Sequence, residues 1–202
     1  MKRALDLSLG FVALVACAPV IGLAALAIRM RDRTASPFFG HEREGLDGRV
    51  FQLWKLRTMV ADGDALLEER LATDAVALAE WRRYFRLADD PRLLGGLGRS
   101  LRRFSVDELP QLWNVLLGQM SLVGPRPLPA FVLAELPADF VARRREVKPG
   151  MTGLWQVSGR SDLDLDGLCE LDARYLASAS LRADLAILLR TPFAVARASG
   201  AY

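Results

Sequence analysis

The sequence has few of the residues on which disulfide scaffolds and many metal sites depend. Its 202 residues include two cysteines and one histidine. This scarcity excludes a disulfide scaffold and any metal site that needs several histidine or cysteine ligands. The sequence also contains no internal repeats and no low-complexity linker. By contrast, 51% of the residues are hydrophobic, which excludes a disordered chain and suits one domain with a substantial core.

An excess of charge is also lacking over most of the chain. The net charge is +3, from 27 Lys and Arg against 24 Asp and Glu. Residues 1–33 hold five of the basic and two of the acidic side chains, so the rest of the chain holds 22 of each and is neutral. The excess therefore surrounds the most apolar segment of the chain. This distribution indicates a membrane surface, and not nucleic acid, as the partner.

No charged residue occurs from position 7 to position 28, a run of 22 residues. As a straight helix this run would reach about 33 Å, which is enough to span a hydrocarbon core. However, Pro19 in its middle removes a backbone donor, and basic residues at both flanks favour two cytoplasmic ends. A re-entrant hairpin broken near Ala18 and Pro19 satisfies both features, and a spanning helix is the second interpretation.

A secretory signal is the third interpretation of the same segment. Residues 14–17 resemble a lipoprotein cleavage box, in which Cys17 would be acylated. The simpler interpretation of Cys17 is a small apolar side chain in a helix. Asp6 begins the run, and an acid at a membrane is costly without a partner. We therefore expect Asp6 to pair with Arg3 or with a basic residue of the globular part.

Glycine, proline and aspartate divide the remainder into short elements. Strands are predicted at 36–39, 49–54 and 154–157, with a hairpin turn at 45–48. Helices are predicted at 61–72, 74–88, 97–104, 107–117, 130–146, 163–176 and 181–197. The pattern of the last helix suits a membrane surface and a core-facing position equally well. We therefore predict a mostly α fold with a small β-hairpin, built as one compact domain behind a membrane anchor.

The strongest chemical signal is the segment 105–111, SVDELPQ, with the adjacent acids Asp107 and Glu108. Acids in this position commonly cap a helix and interact with its dipole. Here, however, arginine residues precede the acids, Arg126 lies in a proline-rich loop, and the segment 55–58 (KLRT) follows a strand. Carboxylates beside fixed guanidinium groups are what phosphoryl transfer requires, because one acid can act as nucleophile while the cations neutralise phosphate oxygens.

Other catalytic arrangements are not supported. His41 stands alone in a polar stretch and is more typical of a surface or strand end than of a catalytic triad. The segment 95–98, GGLG, lacks the spacing of a dinucleotide-binding loop or a P-loop. The basic run 143–145 is interpreted as the solvated end of a helix. Since no aromatic residues are interleaved with it, nucleic-acid binding is a weak alternative.

At these segments the sequence resembles the bacterial sugar transferases, the monotopic phosphoglycosyl transferases that start glycan assembly on undecaprenyl phosphate. The resemblance begins with the basic start and the proline-broken apolar segment. It continues through FQLWKLRTM at 51–59, DELPQLWNVL at 107–116, MSLVGPRP at 120–127 and KPGMTGLWQVSGR at 148–160. These strings together cover essentially the whole chain.

The resemblance implies transfer of a hexose 1-phosphate from a UDP-sugar to undecaprenyl phosphate, with release of UMP. This is the first membrane step of exopolysaccharide, O-antigen or capsule assembly. Asp107 would attack the sugar-bearing phosphate and hold a covalent phosphosugar, with Glu108 assisting and Mg²⁺ bound at Asp107. The resemblance also implies phosphate, nucleotide or substrate contacts at Lys55, Arg57, Arg102, Arg126, Arg160 and, as a weaker candidate, Asp172.

The architecture implied by the resemblance is a re-entrant membrane hairpin, here 1–33, followed by a compact cytosolic catalytic domain, 34–202, with interfacial amphipathic helices. The catalytic domain would lie on the cytoplasmic face of the bacterial inner membrane. The helical insertion at 61–90 resembles members that use UDP-glucose or UDP-galactose. Larger relatives carry a spanning N-terminal domain, so we expect a minimal catalytic form. The expected partners are the two substrates, membrane lipids and, as an open option, a second copy in a homodimer.

Two positions depart from the family's pattern. Ala18 stands where the family often has a serine before the proline, and Ala179–Ser180 stand where a Trp-Ser pair is usual. Two rival hypotheses are therefore kept. One is a non-catalytic membrane-surface or lipoprotein binding module, and the other is a soluble phosphatase-like enzyme that needs no lipid acceptor.

Overall fold

The computed structural model describes residues 1–159 and 163–197 and is mostly helical with a small antiparallel hairpin, as predicted. The helices in these ranges are α1 Lys2–Arg31, α2 Gly63–Thr73, α3 Ala75–Tyr84, α4 Gly95–Arg103, α5 Gln111–Leu117, α6 Ala130–Leu133, α7 Ala138–Arg144, α8 Leu154–Ser158, α9 Leu165–Ser178 and α10 Leu181–Arg197. The strands are β1 Phe38–Glu44, β2 Val50–Leu56, β3 Ser121–Val123 and β4 Gly150–Thr152. Two 3₁₀ turns cover Leu46–Gly48 and Val106–Glu108.

The apolar N-terminal segment forms one helix, α1, which continues through Pro19. The predicted division into two arms at Ala18 and Pro19 is therefore wrong at the level of secondary structure. A proline inside a helix removes one hydrogen bond and bends the helix without having to end it. Among the described residues, α1 is the helix that is long and apolar enough to cross a membrane. The re-entrant arrangement itself stays a prediction.

The start of α1 is fastened to the globular part by polar contacts. Asp6 is only 3% exposed and accepts hydrogen bonds from the hydroxyl of Ser121 and the backbone N–H of Leu122, both at 2.9 Å. Arg3 donates to two carbonyl oxygens at the end of α5, at 2.6 and 2.8 Å. The expected basic partner of Asp6 is therefore wrong, because a hydroxyl and a strand N–H satisfy the carboxylate.

The two ends of α1 contact the same globular part. Near its start, the Lys2 ammonium pairs with Asp184 of α10 at 2.5 Å. Near its end, Ile28 is fully buried in a cluster with residues of β2 and α4. Between these ends, large apolar side chains of α1 remain exposed, namely Leu7, Leu9, Phe11, Val12, Val15, Val20, Leu23 and Leu26. The helix is therefore anchored at both ends and apolar on its outer surface.

β1 and β2 form the predicted antiparallel hairpin. Its register runs from Phe38 opposite Leu56 to Glu44 opposite Val50. β1 continues further toward the turn than predicted, because the cross-strand ladder is complete up to the 3₁₀ turn. Within that turn Asp47 has a positive φ of 56°, a conformation that Asp tolerates better than most residues.

β3 and β4 form a parallel pair that was not predicted. They approach so closely that a Cβ on Gly150 would overlap the backbone nitrogen of Gly124. Glycine at both positions therefore permits the pairing. The strand predicted at 154–157 is wrong, because β4 ends at Thr152 and the chain passes Gly153 into α8.

Prolines shorten two of the predicted helices. The helix predicted at 107–117 is a 3₁₀ turn followed by α5, with Pro110 at the junction. The helix predicted at 130–146 is divided into α6 and α7, and Pro137 immediately precedes α7. Proline lacks the N–H needed inside a helix but fits its first turn.

Two apolar clusters form the core and place the 3₁₀ turn of Asp107 between β2 and α5. The larger cluster contains Phe51, Leu53, Leu112, Val115, Met120, Leu122, Val123, Tyr175 and Ile187. The smaller one contains Ala24, Ile28, Leu56, Leu94 and Leu101, so α1 contributes directly to it.

Candidate active site

The two adjacent acids lie on the 3₁₀ turn between α4 and α5. Ser105 precedes this turn with a positive φ of 53°, so the chain turns sharply after α4. Pro110 then caps the start of α5. Asp107 is 6% exposed and Glu108 is partly buried. Both carboxylates are therefore withdrawn from bulk water.

Lys55, near the end of β2, interacts with both acids. Its ammonium nitrogen lies 2.9 Å from Glu108 Oε1 and 4.0 Å from Asp107 Oδ2. Burial raises the pKa of Asp107 to about 6, and the charge of Lys55 is the main influence that opposes this rise. A carboxylate with a raised pKa is a better nucleophile and proton acceptor than an ordinary surface carboxylate.

Arg102 of α4 belongs to the same group. Its Nε donates to the hydroxyl of Thr58 at 2.9 Å, which fixes the guanidinium plane. Burial lowers the pKa of Arg102, while the charges of Asp107 and Asp90 oppose that effect. The structure therefore brings the predicted residues Lys55 and Arg102 together with the two acids.

Arg126 is held by its proline-rich loop and by an aromatic ring. The guanidinium carbon of Arg126 lies 4.2 Å from the centre of a Trp155 ring, and Trp155 is nearly fully buried. The carbonyl oxygen of Arg126 accepts a hydrogen bond from Arg144. Stacking and loop anchoring together restrict where the Arg126 charge can point.

Asp172 of α9 lies beneath this loop and not at an open surface. It is fully buried and pairs with Arg144, while burial raises its pKa to about 6. Asp172 therefore positions Arg144 and, through it, the loop of Arg126. A phosphate contact at Asp172 gains no support from this geometry. The interpretation of 143–145 as solvated is wrong for Arg144, which is buried.

Arg57 is placed differently from the prediction. Its guanidinium donates five hydrogen bonds, one to the Asp32 carboxylate and four to backbone carbonyl oxygens. This pairing holds the pKa of Asp32 well below its usual range. Because β2 ends at Leu56, Arg57 leaves the strand ladder and fastens the segment after α1 instead. The other predicted contact, Arg160, lies outside the described residues.

Three nearby residues were not predicted as site residues: Thr58, Arg144 and Arg43. Thr58 binds the side chain of Arg102, and Arg144 binds the carbonyl oxygen of Arg126. Both pairs are far apart in sequence, so a local sequence pattern does not indicate them. Arg43 gave no local signal, because exposure does not alternate along β1, and the register of the structure shows that Arg43 lies opposite Phe51. That register places Arg43 on the same face of the hairpin as Lys55.

The donor set restricts how magnesium could bind. The described part of the chain contains no group of three or more His, Cys, Asp or Glu side chains suited to hold a metal ion. Mg²⁺ is often held by one or two carboxylates, with substrate phosphates and water completing its shell. Asp107 fits such an ion, whereas Glu108 is engaged by Lys55.

Known proteins are similar to this chain over nearly all of its length. The profile of the family described as bacterial sugar transferase matches residues 1–198. The undecaprenyl-phosphate galactose phosphotransferase of Salmonella typhimurium is 42% identical over 202 residues, covering 100% of this chain and 42% of that protein. An exopolysaccharide production protein of Sinorhizobium fredii is 40% identical over 203 residues, covering 100% of this chain and 88% of that protein.

A third relative names a different sugar. The undecaprenyl-phosphate glucose phosphotransferase of Komagataeibacter xylinus is 39% identical over 201 residues, covering 94% of this chain and 35% of that protein. The chain thus spans less than half the length of the two phosphotransferases and most of the exopolysaccharide protein. Because the family profile covers nearly the whole chain, the protein belongs to the bacterial sugar transferase family.

Proposed function

We propose that the protein transfers a hexose 1-phosphate from a UDP-sugar to undecaprenyl phosphate and releases UMP. The names of its relatives support transfer of a sugar phosphate to a polyprenyl phosphate. The observation that carries the proposal is the buried carboxylate of Asp107, which has a raised pKa and is flanked by Lys55 and Arg102.

In the first half of the reaction, a carboxylate oxygen of Asp107 attacks the phosphorus that carries the sugar. A P–O bond forms to Asp107, and the P–O bond to UMP breaks with its electron pair leaving on UMP. The nucleophile must be ionised, so the charge of Lys55, 4.0 Å away, favours the reactive form.

In the second half, a phosphate oxygen of undecaprenyl phosphate attacks the same phosphorus. The P–O bond to Asp107 breaks, and the carboxylate is regenerated as the lipid-linked sugar diphosphate leaves. Neither half needs an oxidant or a separate proton donor, because a phosphate and a carboxylate are the leaving groups.

The surrounding charges support both halves. Lys55 and Arg102 can neutralise phosphoryl oxygens as charge moves through the transition state. A Mg²⁺ ion at Asp107, when bound, would supply further neutralisation of the diphosphate. Glu108 holds the Lys55 ammonium at 2.9 Å, so its role is to orient that cation.

The sugar is glucose or galactose in this proposal. The relatives named above carry one or the other sugar in their names, and the helical pair α2 and α3 occupies the 61–90 insertion. Nothing in the contacts of that insertion distinguishes the two epimers, so both belong in the assay.

We further propose that α1 enters and leaves the inner membrane by its cytoplasmic face. Lys2 and Asp6 at the start of α1, and Ile28 near its end, all contact one globular part, while the outer surface between them is apolar. Helix α10 also leaves Leu185, Leu189 and Phe193 exposed, a spacing that suits an interfacial helix.

The lipoprotein alternative loses support from the same contacts. Cleavage before Cys17 would remove residues 1–16, including Lys2, Arg3 and Asp6. Those side chains bind Asp184, the end of α5 and the start of β3. The removed segment therefore belongs to the folded domain, and intact mass should show that it is retained.

The proposal is tested with the purified full chain in detergent, Mg²⁺, undecaprenyl phosphate, and UDP-glucose or UDP-galactose, with UMP as the readout. We expect UMP release from one of the sugars, and a loss of at least about 10³-fold in Asp107→Asn. Intact mass with the UDP-sugar alone should show one added hexose phosphate, absent in the variant. Asp139→Asn, at an exposed acid of α7, is the control. Undiminished UMP release by Asp107→Asn would refute the mechanism.

A further inference from the structure

Arg43 of β1 differs from three other arginines that are withdrawn from solvent. Arg57, Arg92 and Arg144 each pair with an aspartate. Within residues 1–159 and 163–197, Arg43 makes no ion pair, and its Nη1 donates to the carbonyl oxygen of the preceding residue. Its Nε is buried and has no hydrogen-bond partner there. A buried guanidinium nitrogen without a hydrogen-bond partner destabilises the folded protein, and a bound anion that accepts its hydrogen bond would remove this cost.

The hairpin register places Arg43 on the face of the hairpin that also carries Lys55. Arg43 lies opposite Phe51, and Lys55 lies opposite Phe39, so both basic residues share one face of the hairpin. Phe51 on that face is packed in the larger core cluster. The pair Arg43–Phe51 and the pair Phe39–Lys55 are about 13 Å apart along the strands. Two long side chains can bridge this separation. The charges of Arg43 and Lys55 both lower the pKa of His41, after the larger effect of burial.

A second cation, Arg126, lies near Arg43, because their sequence neighbours Pro125 and Glu44 line the same cavity. Burial and then the charge of Arg126 lower the pKa of Arg43 to about 10. The Arg126 side chain stacks on Trp155, and its charge lowers the pKa of Asp172, a carboxylate that already pairs with Arg144. The indole Nε1 of Trp155 is likewise a buried donor that lacks a partner in the described part of the chain. Two guanidinium groups therefore lie near each other, the carboxylate that interacts with Arg126 is already paired with Arg144, and two buried N–H donors lack a partner within the described residues.

We propose that Arg43 and Arg126 together bind one phosphate group of a substrate, at a subsite adjacent to the one formed by Lys55 and Arg102. A phosphate supplies the negative charge and the several acceptor oxygens that two guanidinium groups can satisfy. This inference rests on the proposed function and adds a second phosphate position to it. Lys55 and Arg102 face the phosphorus attacked by Asp107.

The phosphate bound by Arg43 and Arg126 is either the one that leaves in UMP or the one that arrives on undecaprenyl phosphate. Both present the same phosphate monoester chemistry. They are distinguished by whether the bound molecule is a nucleotide or a lipid, which equilibrium binding can test with each molecule separately.

The first measurement compares thermal unfolding of the unliganded full chain and its Arg43→Gln variant in detergent. Removing a charge that lacks an acid partner and is repelled by Arg126 should leave the midpoint unchanged or raise it. A structural role for Arg43 predicts a clear decrease instead, and a decrease would overturn the proposal. Arg49→Gln is the matched control, because Arg49 lies in the same hairpin and is exposed.

The second measurement is calorimetric binding of UMP and, separately, of undecaprenyl phosphate in micelles to the same three proteins and to Arg43→Lys. We expect Arg43→Gln to bind at least one of them tenfold or more weakly, with Arg43→Lys intermediate and Arg49→Gln unchanged. Weaker binding of UMP alone assigns the subsite to the nucleotide, and weaker binding of the lipid alone assigns it to the acceptor. Unchanged affinity for both overturns the proposal. Binding needs no turnover, so this result is independent of whether Asp107→Asn loses activity.

Discussion

Replacing Lys55 with methionine should move the ionisation of Asp107 to higher pH. At 4.0 Å and an effective dielectric constant of about 20, two unit charges interact by about 4 kcal/mol, equivalent to about 3 pKa units. The Lys55 side chain is 25% exposed and also forms an ion pair with Glu108. Solvent and Glu108 therefore reduce the effect of Lys55 on the pKa of Asp107. We therefore expect a rise of about 1 to 2 units from the value near 6.

The rate of UMP release should report this shift, because only the ionised carboxylate is a nucleophile. In the unaltered protein the acidic limb of kcat/KM for the UDP-sugar should lie near the pKa of about 6. In Lys55→Met the limb should lie near pH 7 to 8, about 1 to 2 units higher. Lys55→Arg keeps the charge and should leave the limb close to its original position. Glu108→Gln removes a neighbouring negative charge and should move it to lower pH.

The assay is a series of initial rates from about pH 5 to pH 9 at saturating undecaprenyl phosphate. Titration of the Asp107 carboxyl carbon by NMR gives the same pKa without turnover, which covers a Lys55→Met protein too slow to assay. If the Lys55→Met limb coincides with that of the unaltered protein, Lys55 does not control the nucleophile and the electrostatic account is wrong.

Three further predictions concern the framework of the site, and unfolding in detergent monitored by circular dichroism checks each. Arg57→Met should lower the free energy of unfolding by about 3 kcal/mol, because the carbonyl oxygens bound by that guanidinium lose their donor. Gly150→Ala should prevent β3 and β4 from pairing, since its Cβ would overlap backbone atoms, whereas Gly96→Ala, in open space on α4, should stabilise slightly. Arg144→Met should cost about 3 to 5 kcal/mol by leaving Asp172 buried without its partner, and Asp172→Asn added to it should recover part of that loss.

Each of these framework predictions has an outcome that contradicts it. An Arg57→Met protein as stable as the original would mean that water replaces the guanidinium. A folded and active Gly150→Ala protein would mean that the parallel pair is dispensable. If the Arg144→Met and Asp172→Asn changes are additive, the two side chains do not act as a pair.

The hairpin could be predicted from sequence, whereas the parallel strands could not. Gly45 and Gly48 lie in the turn, and apolar residues alternate along β2 after it. This is a local signal for a hairpin, and the antiparallel ladder of β1 and β2 forms as it predicts. β3 has three residues and pairs with a strand about 30 positions later, so its formation depends on tertiary contact. The strand predicted at 154–157 failed for the same reason, because local apolar character did not reveal that the pairing ends before Gly153.

In the site, the structure brings together those predicted residues that the chain itself places close to one another. Asp107 and Glu108 are adjacent in sequence, and the strand that carries Lys55 brings it to them. The resemblance implies a phosphate contact at Arg57, but β2 ends at Leu56 and the Arg57 side chain turns to Asp32. Arg144 was interpreted as solvated because its buried partner is distant in sequence and invisible to a local pattern.

The basic residues at the two flanks of the apolar segment have different roles in the structure. Lys2 binds Asp184, and Arg3 binds the end of α5. These two charges therefore stabilise the fold and are less available to lipid headgroups. The basic residues left for lipid headgroups lie at the other end, where Arg31 and Arg33 are exposed or partly exposed. Asp6 meanwhile receives the hydroxyl and N–H at the start of β3. Helix α1 is therefore a structural part of the domain, and under the proposed function it would also hold Asp107 near the membrane surface from which a lipid phosphate arrives.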